Sequence, residues 1–349
     1  MHPAERAPLR SLRGVLAALS LSMLLSSLGT SIANVGLPSM AHAFRASFQG
    51  VQWIVLAYLL AVTTLVVGAG RLGDVLGRRR LLLAGLTLFT MASVLCGMAA
   101  TLGQLIAARA VQGVGAAIMM ALTHAFIGET VPSTRTGSAM GLLGTMSAVG
   151  TAVGPSLGGL LIAWLDWRAL FLVNVPLGIA ALTLAYRYLP SAPTAVSASH
   201  EAPREGFDVA GTTVLTLALG AYALAVTIGR GHVGIVNVVL LAAAAAAFGL
   251  WLYVESVATA PLIHLSMLRD RVLRSSLAMN ALVSTVMMST LVVGPFYLSR
   301  SLALSATAVG FAMSVGPIVT ALIGVPSGRI ADRLGAARMT LVGLSGIAA

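Results

Sequence analysis

Apolar runs of about 20 residues alternate with short polar segments along nearly the whole chain, and about that length is needed for a helix to cross the roughly 30 Å hydrocarbon core of a bilayer. Ten runs are complete: 14–37, 51–70, 81–100, 105–127, 137–161, 169–189, 209–228, 234–254, 273–296 and 306–328. An eleventh opens near Met339 and stops with the sequence at Ala349. Residues 190–207 (PSAPTAVSASHEAPREGF) form the one long polar stretch, rich in proline and small residues, and read as a flexible linker after the sixth run. A second connection, 261–274, alternates apolar positions with Arg269, Asp270 and Arg271. It fits either a short helix along the membrane surface or a solvated loop. The pattern predicts an all-α polytopic membrane protein with ten complete transmembrane helices and part of an eleventh.

Two of the connections share a phrase. Residues 70–80 (GRLGDVLGRRR) return as 328–338 (GRIADRLGAAR), identical at six positions. Each copy lies between two long apolar runs. A charged, glycine-bracketed segment repeated at matching places points to internal duplication, which is common in secondary transporters that rock one half against the other.

Composition agrees with the pattern. Hydrophobic residues make up 58% of the chain and charged residues 9%, with a mean hydropathy of +0.96; a soluble domain carries about 25% charged residues. The net charge of +11 comes from 21 basic residues, all arginine. They fall in short loops rather than on one soluble face, which argues against nucleic acid. With the N-terminus inside, sixteen lie on the cytoplasmic side: Arg6, Arg10, Arg13, Arg71, Arg78, Arg79, Arg80, Arg135, Arg187, Arg204, Arg269, Arg271, Arg274, Arg329, Arg333 and Arg338. Arg45, Arg168, Arg230 and Arg300 fall outside, and Arg109 falls within a span. This asymmetry sets an inner or plasma membrane orientation with a cytoplasmic N-terminus, and it brings both copies of the repeat to one face. The basic segment before residue 14 leads into a retained first helix rather than a cleaved signal peptide. A single cysteine, Cys96, excludes an intramolecular disulfide and a multi-cysteine metal site. No phosphate-cradling loop with its Lys and Ser/Thr accompanies the glycines, which argues against nucleotide. No nucleophile–base set or metal cluster is present, so neither an enzyme nor a cofactor is expected.

The repeated phrase resembles the cytoplasmic loop signature of the major facilitator superfamily. Residues 28–38 (LGTSIANVGLP) resemble the first-helix signature of its fourteen-helix drug/proton antiporter branch (EmrB/QacA-type), and 109–115 (RAVQGVG) the fourth-helix signature. Residues 150–159 (GTAVGPSLGG) resemble the fifth-helix antiporter signature. Trp167-Arg168, Phe171 and 174–178 (NVPLG) are similar to the start of the sixth helix. The branch commonly has an acidic residue where this chain has Gly29. The resemblance implies a six-helix bundle over 1–189, the linker 190–207, an extra helix pair over 208–260, and the start of a second bundle over 261–349. It implies alternating access, with a small-molecule substrate and protons as partners besides the lipid bilayer.

Within that frame, Gly70 and Gly77 allow close helix approach and a tight reversal. Asp74 is placed to cap backbone N–H groups or to face a helix dipole. The resemblance implies that Asp74, with Arg71 and Arg78, latches the cytoplasmic face shut, and that Gly328, Asp332 and Gly335 are the second copy of the device. The plainer role for the arginines is anchoring at anionic headgroups. Gly150, Gly154 and Gly158 share one helix face, which with Pro155 and Gly159 predicts a smooth pivot against another helix. Arg109 is a costly charge inside a span, expected either to face the cavity bonded to carbonyls or Gln112, or to snorkel to the outer interface. Asn34, Trp53, Tyr58 and His124 complete the candidate substrate and proton groups, His124 having a structural role as its alternative.

Every carboxylate falls in a loop or at a span end: Glu5, Asp74, Glu129, Asp166, Glu201, Glu205, Asp208, Glu255, Asp270 and Asp332. A buried carboxylate is the usual partner of a membrane-embedded cation, so these spans disfavour a strongly cationic substrate. The expected function is proton-coupled efflux of small, apolar or drug-like compounds. The competing expectation is a non-transporting membrane sensor or assembly protein on the same fold. Residues 339–349 would reach only about 16 Å as a helix, which predicts a fragment of a longer transporter, inactive by itself.

Overall fold

The structure, a computed structural model, describes residues 9–190, 209–228, 234–258, 267, 269–300 and 306–334, with a few isolated positions beyond. The helices are α1 (Leu9–Ala43), α2 (Phe48–Leu76), α3 (Arg78–Met98), α4 (Leu102–Thr130), α5 (Thr136–Trp164), α6 (Ala169–Leu172), α7 (Asn174–Tyr188), α8 (Val209–Ile228), α9 (Ile235–Val257), α10 (Arg271–Arg300) and α11 (Ala306–Leu334). Each complete predicted span corresponds to a helix, α6 and α7 together forming the sixth. Among the described residues, seven helical spans are long and apolar enough to cross a membrane. The linker expected at 190–207 lies outside the described residues except for Pro190, as do Gly335, Arg338 and most of 339–349. Of the 261–274 segment, Asp270 caps α10, accepting from Val272 N at 2.9 Å, so Arg271 and Arg274 belong to that helix's first turn.

Local chemistry sets the boundaries. Ser47 Oγ accepts from Gly50 N at 3.2 Å and opens α2. Thr101 and Gln104 form a capping box that opens α4. Between α2 and α3 the chain turns on Gly77 alone, at φ 91° and ψ 119°, a conformation costly to residues with a Cβ. The sixth span runs over Ala169–Tyr188 as expected, with Val173 between α6 and α7 still at helical dihedrals (φ −61°, ψ −25°). Pro176 cannot donate to the carbonyl of Leu172, and Asn174 Nδ2 donates to Leu170 O at 3.4 Å and Phe171 O at 3.3 Å.

α1 to α7 pack on one another around two adjoining apolar clusters. One, toward the Gly77 end, includes Leu19, Leu25, Leu82, Phe89, Met119 and Leu122. The other, toward the Thr101 end, includes Ile32, Met40, Ile54, Leu105, Leu170 and Phe171. Some buried hydroxyls bond within their own helices, as where Ser22 donates to Ala18 O and Ser93 to Phe89 O, whereas those of Ser20 and Thr123 have no partner. α8 packs on α9 and against α2, while α11 lies along α5 and touches α10. Most of α9 is exposed apolar surface, Ile235, Val239, Leu250 and Tyr253 among it, as befits a helix that faces lipid rather than a core.

Candidate functional site

The sequence places one arginine inside the fourth span, and the fold closes around it. Arg109 is 0% exposed, so it does not snorkel. Its Nε donates to Ile54 O on α2 at 3.0 Å, a carbonyl near the start of that helix. Its Nη1 donates to Gln112 Oε1 at 2.5 Å. Gln112 Nε2 in turn donates to Ser93 Oγ on α3 at 2.7 Å. The guanidinium lies 4.1 Å from the centroid of the Tyr58 ring and 5.8 Å from that of Phe171. Tyr58 is itself fully buried and donates its hydroxyl to Ser26 O on α1 at 2.8 Å. Nη2 of Arg109 has no hydrogen-bond partner. Four helices and the short α6 thus converge on one buried cation.

The remaining candidate groups stand apart from this cluster. Asn34 is exposed and bonds back to Thr30 O at 3.4 Å. His124 is exposed and bonds Met120 O of its own helix at 2.8 Å. Trp53 is half-buried on α2. Sequence reasoning missed Ser93, because nothing local marks one hydroxyl among many in apolar helices as the partner of Gln112.

At the Gly77 end the first repeat copy does not act on a helix terminus. Asp74 is 54% exposed and pairs with Arg78, Nη2 to Oδ1 at 2.8 Å. Arg78 also reaches Glu129 on α4 at 2.8 Å and Ala125 O at 3.4 Å. It therefore ties the α2–α3 turn to the last turn of α4; Glu129 was not singled out from the sequence. Arg71 is half-buried on α2. A Cβ on Gly70 would meet nothing within 4 Å, so the close approach expected there does not occur. Gly73 makes it instead, against Leu122.

The second copy does what was expected of the first. Asp332, in the last turn of α11, accepts from Gly137 N at 2.7 Å and Ser138 N at 2.8 Å. Both oxygens serve the unsatisfied N–H groups at the start of α5, where the helix dipole favours a negative charge. Gly328 lies inside α11 at a close approach to α5. A Cβ there would clash with Gly137 O and come within 3.0 Å of Ser138 Cα. Gly141 and Gly324 make the next contact along the same pair of helices. Gly137 and Gly141 were not singled out from the sequence; their i, i+4 spacing is the signal that marks this face.

Farther along α5, Gly150, Gly154 and Gly158 meet α1. A Cβ on Gly150 would lie 2.7 Å from Leu24 O, and one on Gly154 would meet Ser31 Oγ and approach Ile32 N to 3.1 Å. Ser31 donates to Gly150 O at 3.0 Å, and Ser27 and Ser147 hydroxyls pair at 2.7 Å. Pro155 lies inside this continuous helix. Gly159 does not share the face: one residue on is about 100° round the helix, and a Cβ there would meet nothing within 4 Å. Glu255 also departs from expectation. It sits in the last turn of α9, at the span end as read, but is only 3% exposed.

A multi-pass helical bundle that carries one charged phrase at the ends of both α2 and α11 fits the class of repeat-containing membrane transporters. The sequence matches the Major Facilitator Superfamily over residues 19–349, and the chain belongs to that family, whose members are transporters and not enzymes. It is 30% identical over 332 residues to the multidrug resistance protein Stp of Mycobacterium tuberculosis, covering 94% of this chain and 60% of Stp. It is 29% identical over 329 residues to the riboflavin transporter RibZ of Clostridioides difficile, covering 92% of this chain and 68% of RibZ. In fold it is similar to the proton:xylose symporter XylE, with a TM-score of 0.60 at 14% identity over 93% of this chain and 70% of XylE.

Proposed function

We propose that the chain belongs to a proton-coupled secondary transporter that exports small, largely apolar compounds by alternating access. The N-terminus, the 190–207 linker and the Gly77 end lie on the cytoplasmic side of the cell membrane in this reading. The observation that carries it is the seat of Asp332 on the N-terminus of α5. This contact joins a helix before the linker to one after it, through two hydrogen bonds and a stripe of glycines. Such a junction separates without unpacking a core.

The face of α5 against α1 supplies the smooth packing that rocking requires, and Arg109 supplies a buried charge for coupling. The name of Stp supports a drug-like cargo; that of RibZ supports transport of a different small molecule on a related chain. The test is the whole natural reading frame expressed in a transporter-depleted bacterial host loaded with Nile red. Dye efflux above that of the empty host, abolished by a protonophore, is expected. Efflux equal to the empty host, from protein present in the membrane, would contradict transport and favour a sensor or assembly role.

A further inference from the structure

The charge balance around Arg109 is unusual. Among the described residues, Arg109 and Glu255 are the only charged side chains that are buried. Glu255 belongs to α9, which packs on α8, and makes no contact with Arg109. The guanidinium is held by a carbonyl, an amide oxygen and two aromatic faces, all neutral. Its Nη2 is buried with both N–H groups unmet. A desolvated cation with open donors and no counter-charge is an anion receptor, because each hydrogen bond to a charged group is among the strongest available.

The side of the cluster toward α1 is closed by Tyr58 and a glycine. Gly29 on α1 lies against this cluster: a Cβ there would stand 3.3 Å from the Tyr58 hydroxyl and 3.2 Å from Phe89 Cζ. Tyr58 is the ring on which Arg109 stacks. With glycine at 29, no side chain of α1 brings a charge toward the guanidinium.

Resting on the transport reading above, we propose that Arg109 binds the anionic group of a substrate that carries one, so that among the apolar compounds bound those bearing a carboxylate or similar anion are preferred. Gly29 then determines specificity by leaving that counter-charge to the substrate. Access to Arg109, closed here, comes with the opening that alternating access provides.

The experiment is equilibrium binding of radiolabelled benzoate to the purified natural full-length protein, with unlabelled benzoate or its neutral isostere benzamide as competitor. Benzoate is expected to compete on the order of tenfold better than benzamide, the ratio that one charge-assisted hydrogen bond supplies. Arg109→Gln should remove the preference and Arg109→Lys should retain part of it. Gly29→Asp should abolish benzoate binding, whereas Gly29→Ala, the steric control, should keep it. Equal competition by benzamide, a preference that survives Arg109→Gln, or no saturable benzoate binding by monodisperse protein would each overturn the proposal. Protonophore-sensitive efflux of neutral Nile red beside any of these failures would leave the transport reading standing. Loss of efflux with benzoate binding intact would sink transport alone.

Discussion

Arg109 makes two hydrogen bonds in different directions, through Nε to Ile54 O and through Nη1 to Gln112. A lysine keeps the charge but not the planar fork that serves both acceptors at once. Arg109→Ala is therefore expected to lower transport by about tenfold or more, the worth of one charged hydrogen bond, and Arg109→Lys by less. Proteoliposome flux at matched protein content is the measurement, and undiminished flux in both variants would assign Arg109 to packing. Gly77 is a purely conformational case. Its φ of 91° disfavours any side chain, so Gly77→Ala should destabilise the α2–α3 turn by about 1–3 kcal/mol. The readout is the midpoint of thermal unfolding in detergent, and an unchanged midpoint would place the turn in another conformation. Asp74→Asn should leave that midpoint nearly unchanged, because an exposed ion pair contributes only about 0–1 kcal/mol.

At the scale of the helices, the pivot reading rests on α5. Leucine at 154 must find room where even a Cβ meets Ser31 and the α1 backbone. Gly154→Leu is expected to abolish flux while the protein still inserts; normal flux would mean that α1 and α5 separate more widely than this packing allows. The helices themselves were legible in the sequence because an apolar window is a local property. The spans read as 51–70 and 105–127 are Phe48–Leu76 and Leu102–Thr130, longer because Ser47 and Thr101 cap their starts ahead of the apolar window and their polar last turns stay helical. The glycine stripe of α5 was legible for the same reason. Ser93 behind Gln112, Glu129 beside Arg78, and the helix that each repeat copy would meet were not. These are relations between distant segments, and hydrophobic periodicity says which face is buried without saying against what. The arginine cluster of the first copy engages Glu129 and Tyr186 O, not the start of a helix.

For the molecule as a whole, the two copies of the repeat are related by place: one falls at the end of α2, the other at the end of α11. Asp332 is engaged with α5 while Asp74 is exposed. The central claim is that the contact between Asp332 and the start of α5 opens and closes during transport. Asp332→Asn keeps one acceptor oxygen but loses the charge that the helix dipole favours and the second acceptor. It should bias the protein toward the open form. The most direct measurement is the distance between spin labels at the exposed positions Thr134 and Arg333, in a background with Cys96→Ser, by pulsed electron spin resonance in liposomes. The account predicts two distance populations, with the longer one enlarged by Asp332→Asn and the balance shifted by an imposed proton gradient. A single short distance, indifferent to both the substitution and the gradient, would contradict it.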